Sequence, residues 1–401
     1  MAKDDAPDPK TSPTSDYQDS ESFQVEACDH VFTFYPAGSD RLEALLDHIA
    51  QAEQTLDIFY YMFQDDRSGT KVRDALVDAA KGGVKVSLIV DDFGSDAPPE
   101  FFEPIVDAGG AFAIFSADWN VRYLVRNHQK FAIADNIRVM TGGSNVSDHY
   151  YKPPSENGWC DLGVAIEGEI AEKFTEWFEL LSEWSRSDGS QFRRIRRMIR
   201  NWDPGSGDVQ LLMGGPLIRR SHWSYRFKRD MVKASRLDMV TAYFGPPRSF
   251  RRAIAKVAKR GKVRLIAAGK SDIDGTISVA RLFYNRLIKA GAAIYEFQPC
   301  KLHMKLLVVD DHSYFGSANL DRRSVRINIE LMVRVTDQAM AKRLREFVDH
   351  LQEASIAADR DWYRQNSSLL RRIGWRLYHW LSLADYRVAR VAVAQPSPQS
   401  E

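Results

Sequence analysis

Two histidines open the same pattern 175 residues apart: His128-Gln129-Lys130 with Asp135, and His303-Met304-Lys305 with Asp310, each spaced H-x-K-x4-D. Each is followed by a small-residue turn that ends in asparagine. Gly142-Gly143-Ser144-Asn145 ends 17 residues after His128, and Gly316-Ser317-Ala318-Asn319 ends 16 after His303. One such spacing arises easily by chance; two with matching turns do not. Imidazole is both a nucleophile and a proton carrier near neutral pH. Ammonium and amide groups bind a phosphate oxyanion. If the two sets meet in one pocket, one histidine attacks phosphorus. The other protonates the leaving alcohol and later deprotonates the acceptor. Lys130 and Lys305, with Asn145 and Asn319, hold the phosphate, and the lysines supply the charge a metal gives elsewhere, so neither metal nor cofactor is called for. Asp135 and Asp310 complete the catalytic motif but stand where a turn must begin, and are expected to hold the hairpin and the lysine rather than to move protons.

Positioning these residues requires strands. Both motifs lie in short apolar runs bounded by polar turns, which reads as a buried strand. Residues two apart share a face, so histidine and lysine point the same way. Around them the chain alternates strand and helix. In the first half the predicted elements are a helix over 40–52 with Asp40 as N-cap, a strand over 56–63, a helix over 70–81, a strand over 84–90, a helix over 101–108 and a strand over 111–115. The second half repeats the order: helix 226–234, strand 237–244, helix 249–259, strand 263–268, helix 278–290 and strand 293–297. Such alternation gives α/β layers around a parallel or mixed sheet, and the duplication gives two facing domains. The divisions expected are a disordered N-terminal segment over 1–30, a first domain over 31–190, a basic inter-domain segment over 191–225, a second domain over 226–360, and a basic amphipathic C-terminal segment over 361–401.

The paired motifs resemble the HKD signature of the phospholipase D superfamily. The flanking Trp159-Cys160-Asp161, Tyr243-Phe244-Gly245-Pro246, the run Asp321-Arg322-Arg323-Ser324 and Asn328-Ile329-Glu330 are similar to bacterial cardiolipin synthases. That resemblance implies two similar phospholipase D-like α/β sandwich domains related by a pseudo-twofold axis, with the active site between them. It implies that Asp161 and Glu330 orient the histidines, that His128 is the nucleophile, and that His303 is the general acid and base. The substrate implied is a phospholipid such as phosphatidylglycerol, the product cardiolipin, and the route a phosphohistidine intermediate. Water as acceptor would make the enzyme a phospholipase D-type hydrolase. A nucleic-acid phosphodiesterase would use a related pocket, and a catalytically inactive scaffold would need none of the paired residues.

Composition narrows the setting. The chain has 401 residues, enough for two domains, and a formal net charge of +1. No global field therefore favours nucleic acid, and none is expected as a partner. Cys28, Cys160 and Cys300 are odd in number and lack ligand spacing, so they read as free thiols of a reducing compartment, with Cys160 a bystander. No run approaches the ~20 apolar residues that span a bilayer, and no signal peptide opens the chain. Two stretches suit an anionic membrane surface. Residues 192–202 carry Phe192, Ile195, Ile199 and Trp202 at helical spacing among five arginines, a pattern that equally suits a helix packed on the body. Residues 369–381 carry Leu369, Leu370, Ile373, Leu377, Trp380 and Leu381 on one stripe among Arg371, Arg372, Arg376 and His379. The location expected is peripheral, on the cytoplasmic face of the cell membrane.

Overall fold

Two eight-stranded mixed sheets carry the motifs in a computed structural model that describes residues 17–116, 125–186, 192–216 and 221–394. The first contains β1 (Phe23–Ala27), β2 (His30–Tyr35), β3 (Thr55–Tyr60), β4 (Lys85–Asp91), β5 (Ala111–Phe115), β6 (Lys130–Ala134), β7 (Arg138–Gly142) and β8 (Gly163–Glu167), in the order β1-β2-β8-β7-β6-β3-β4-β5. The second contains β9 (Val209–Gly214), β10 (Arg236–Thr241), β11 (Lys262–Ala268), β12 (Ala293–Phe297), β13 (Lys305–Val309), β14 (His312–Gly316), β15 (Glu330–Thr336) and β16 (Ser355–Ala357), in the order β16-β12-β11-β10-β13-β14-β15-β9. Read from opposite ends, seven strands correspond one to one. β1 and β16 are added edges at opposite ends of the shared order. Only β3–β4–β5 and β10–β11–β12 are parallel, as helical crossovers require. The motif strands β6 and β13 are central and buried along their whole length, which explains their nearly continuous apolar sequences.

Helices cover both faces of each sheet. On one face of the first sheet, α1 (Gly38–Ala50) and α2 (Arg67–Lys81) bury Leu45, Ile49, Val72 and Leu76 against Leu56 and Ile58. The second sheet buries Phe250, Ile254 and Phe283 of α5 (Arg248–Arg260) and α6 (Asp274–Lys289), and two further helices precede these in the chain. These are α3 (Ile170–Arg186) and α4 (Phe192–Asn201). The remaining faces of both sheets, with α3 and with α7 (Gln338–Glu353), form a single apolar cluster. It runs from Phe32, Phe34, Trp177 and Trp184 to Leu306, Phe315, Phe347 and Leu351. The halves therefore share a core instead of merely facing each other. A last helix, α8 (Leu369–Ala394), packs on α6.

Several expectations are corrected. The fold begins before Val31: β1 is a paired edge strand, and the Tyr17 ring packs edge-on against Phe297 of the second half at 5.1 Å. Residues 1–16 lie outside the described residues. Asp40 is not a cap. It sits inside the first turn of α1 after Ala37 and accepts from Ser22 Oγ at 2.8 Å. The segment 191–225 is not only a linker, because β9 lies in it and pairs with β15. In α4 the apolar stripe faces inward. Ile195, Ile199 and Trp202 are buried, and the Trp202 indole donates to Leu211 O at 2.7 Å, so these three residues of the stripe pack on the body and are not offered to a membrane.

Candidate active site

The residues just before β6 and β13 tie the halves together. Asn127 forms a parallel bridge with Ile329, and His128 N donates to Ile329 O at 2.8 Å. Reciprocally, Leu302 bridges Cys160, and His303 N donates to Cys160 O at 2.8 Å. The next residue after each partner is an acid: Glu330 after Ile329, Asp161 after Cys160. The carboxylate of each half therefore lands beside the imidazole of the other. His128 Nδ1 lies 3.2 Å from Glu330 Oε2 and equally far from Ser317 O. His303 Nδ1 lies 2.7 Å from Asp161 Oδ2. Cys160 contributes backbone only; burial pushes its thiol well above the ordinary range.

The small-residue turns make this approach possible. Gly142 and Gly316 both have φ of +150°, and a Cβ there would come within 2.3 Å of Leu162 O and 2.4 Å of Leu331 O respectively. At the next position the halves differ, and the difference compensates the carboxylates. A Cβ on Gly143 would meet Asp161 Oδ1 at 2.3 Å. In the other half Ser317 Oγ instead donates to Glu330 Oε2 at 2.5 Å. Asn328 Nδ2 reaches Glu330 Oε1 at 3.4 Å. The unequal offsets of Asn145 and Asn319 follow from the hairpins: three residues separate Ala134 from Arg138, and two separate Val309 from His312.

His128, His303, Asn145 and Asn319 line one cavity of about 590 Å³, walled by Tyr61, Tyr150, Trp159 and Tyr243, with Arg126, Arg322 and Arg323 also on its surface. Lys130 and Lys305 are buried behind the histidines. Lys130 Nζ donates to His128 O at 2.6 Å and faces the Tyr61 ring; Lys305 Nζ is 3.0 Å from His303 Nε2. Asn145 donates to the Tyr150 hydroxyl at 2.7 Å, while the carbonyl oxygens of Asn145 and Asn319 are buried without a partner in the described structure. Asp135 and Asp310 are elsewhere. Both occupy hairpin turns at positive φ, at the far ends of β6 and β13. Asp135 accepts from the amides of Glu53, Gln54 and Thr55, and Asp310 from those of Ser235 and Arg236. Although both belong to the catalytic motif, they hold hairpin turns and neither lines the cavity.

Burial and then Lys130 pull His128 down to about 4. Burial and then Lys305 lower His303 as well. Burial works against the ionised forms of Asp161 and Glu330, yet the facing lysines and histidines outweigh it and hold both carboxyls low. Burial and then Lys305 depress Lys130 strongly, and burial brings Lys305 to about 8. At neutral pH each imidazole is therefore neutral and gives its Nδ1 proton to a carboxylate; Nε2 of His128 is left as a base, while Nε2 of His303 faces the Lys305 amine. The negative charge of an arriving phosphate favours the ammonium form of both lysines and a protonated imidazole beside it.

Sequence reading missed the groups that fix this geometry. Arg41 is fully buried and donates to the backbone oxygens of Asp161 at 2.8 Å, Tyr150 at 2.7 Å and Trp159 at 3.0 Å. An arginine on the apolar side of α1 was the available signal. Asp91, at the end of β4, accepts from Asn127 N at 2.9 Å, and an acid directly after a parallel strand was a legible hint. The rings of Tyr61 and Tyr150 lie 4.8 Å from His128 and 5.1 Å from His303; nothing in their spacing pointed there.

Two like halves with crossed histidine–carboxylate pairs around one cavity define the phospholipase D class of fold and site. The family described as cardiolipin synthase, PLD-like domain, matches residues 45–182 and 230–352. Cardiolipin synthase 2 of Bacillus anthracis is 30% identical over 86% of this chain and 69% of its own length. Cardiolipin synthase B of Escherichia coli K12 is 29% identical over 91% and 93%. Among solved structures, phosphatidylserine synthase of Haemophilus influenzae Rd KW20 superposes with a TM-score of 0.72 over 92% of this chain and 97% of that one, at 13% identity, a likeness of fold. The chain belongs to the cardiolipin synthase family and is an enzyme of the phosphatidyltransferase type.

Proposed function

We propose that the chain makes cardiolipin from phosphatidylglycerol through a phosphohistidine on His128. The crossed His128–Glu330 and His303–Asp161 pairs in one cavity carry this reading. His128 Nε2 attacks phosphorus, and the phosphorus–oxygen bond to the glycerol headgroup breaks. His303, which takes up a proton at Nε2 from solvent when the anionic phosphodiester comes to lie beside it, gives that proton to the oxygen, and glycerol leaves. The terminal hydroxyl of a second phosphatidylglycerol then enters, gives its proton to His303 and attacks phosphorus, and the bond to His128 breaks to release cardiolipin. Lys130, Lys305, Asn145 and Asn319 stabilise the charge on the phosphoryl oxygens throughout. The shorter carboxylate contact at His303 supports its role as the acid, since a close anion favours the imidazolium; His128, with the longer shared contact, is left as nucleophile.

No helix among the described residues is long and apolar enough to cross a membrane. The proposal places the enzyme at the cytoplasmic face of the membrane, bound to anionic lipid. Incubating purified protein with labelled phosphatidylglycerol and separating the lipids tests the reaction. Labelled diphosphatidylglycerol is the expected product. Phosphatidic acid alone would make the enzyme a hydrolase, and no turnover of lipid would overturn the proposal.

A further inference from the structure

We infer that α8 is the surface by which the enzyme docks on an anionic phospholipid bilayer, and that it opens the catalytic cavity directly onto the lipid layer; this rests on the lipid reaction proposed above. Of thirteen large hydrophobic side chains exposed among the described residues, seven lie between 369 and 381. At 100° per residue, Leu370, Ile373, Leu377, Trp380 and Leu381 fall on one side of the helix, opposite Trp375. Trp375 is 5% exposed and packs into the core, whereas Leu370 is 81% exposed and Trp380 59%. An ordinary surface helix turns its apolar stripe inward; this one turns it outward. Exposed Arg371, Arg372 and Arg376 flank the stripe, and no Asp or Glu occurs from 367 to 384. Apolar side chains at the centre and arginines at the edges fit the headgroup layer of an anionic membrane.

The same helix forms a wall of the catalytic cavity. Tyr378, His379, Leu381 and Ser382 line it, as does Ile273 just before α6. Tyr378, Leu381 and Ile273 are also among the exposed apolar residues. The outer apolar patch and the cavity wall are therefore continuous. The seam is tight: a Cβ on Gly275 would meet the Tyr378 ring at 2.8 Å. A phospholipid can then present its headgroup to His128 and His303 while its acyl chains stay in the bilayer.

The test replaces Leu370, Ile373 and Leu377 together by Gln. All three are exposed and none lines the cavity. Co-sedimentation with phosphatidylglycerol-containing vesicles should fall at least tenfold. Turnover of lipid in those vesicles should fall equally, while turnover of short-chain phosphatidylglycerol dissolved as monomers should be retained. As a second probe that leaves packing intact, Trp380→Phe should lose part of the fluorescence quenching caused by brominated acyl chains. Unchanged vesicle binding in the triple variant, unchanged quenching in Trp380→Phe, or a lipid-free dimer dissolved by the same substitutions would each overturn the inference. Failure of the wild type on dissolved lipid would instead count against the reaction, with vesicle docking still readable.

Discussion

Asp161 and His303 stand 142 residues apart in sequence and meet at 2.7 Å. Changing Asp161 to Asn keeps the shape but removes the charge that favours a protonated imidazole. We expect kcat to fall on the order of 10²–10⁴-fold, the range for a positioned proton donor. Dissolved short-chain phosphatidylglycerol is the substrate for that measurement, and retention of wild-type kcat would remove Asp161 from the scheme. Titration gives a second expectation. His128 binds its proton near 4 when folded against 6.5 as its ordinary value. Between those values the unfolded chain holds the proton and the folded chain does not, so stability drops as pH falls through that window. The loss from His128 alone is roughly 2 kcal/mol at pH 5 relative to pH 7, read from urea unfolding at the two pH values. Lys305 near 8 sets the other side: kcat/KM should decline as pH rises through that value and the ammonium is lost. At this scale the site was largely legible, because H-x-K-x4-D and the asparagine turns name their own residues. Which acid serves which histidine was not, since the two halves are alike in sequence and only the bridges at Ile329 and Cys160 reveal the crossing.

The strands and helices around the motifs follow their hydrophobic periods, and most predicted elements lie within a few residues of the observed ones. β5 and β12 are the strands read over 111–115 and 293–297. Six strands escaped, β1, β2, β8, β9, β15 and β16, and two of them show why. β1 alternates apolar and polar residues, Phe23-Gln24-Val25-Glu26-Ala27, but it is only five residues long on a sheet edge and follows a polar segment, so it read as part of the N-terminal tail. β9, Val209–Gly214, is buried throughout but follows the arginine-rich helix α4, whose charge made the whole region read as a linker. The hairpins carry a prediction of their own. Asp135 ties the turn after β6 to three backbone amides ahead of β3. Asp135→Ala leaves those amides without that acceptor and should destabilise the fold by about 1–3 kcal/mol. Equilibrium unfolding measures this, and kcat per folded molecule should change far less than in Asp161→Asn. A kcat loss as large as that of Asp161→Asn would show that Asp135 acts in the chemistry after all.

One apolar cluster crosses both sheets, from Trp177 to Phe347, so the halves should unfold together. Tryptophan fluorescence, far-ultraviolet circular dichroism and loss of activity should give coincident urea transitions; two separated transitions would mean independent halves. The duplication made the two-part architecture legible, yet the shared core was not, because sequence periodicity marks a buried face without saying what buries it. The same limit applies to α4 and α8, two basic amphipathic helices of similar pattern, of which one turns its apolar stripe into the core and the other out to solvent. At the centre of the molecule, the account requires a covalent bond between His128 and phosphorus. Enzyme mixed with phosphatidylglycerol, quenched in alkaline denaturant, digested and examined by mass spectrometry tests it most directly. The account predicts a phosphatidyl adduct on the peptide carrying His128 and none in His128→Ala; the absence of phosphorus on either His128 or His303 during turnover would contradict it.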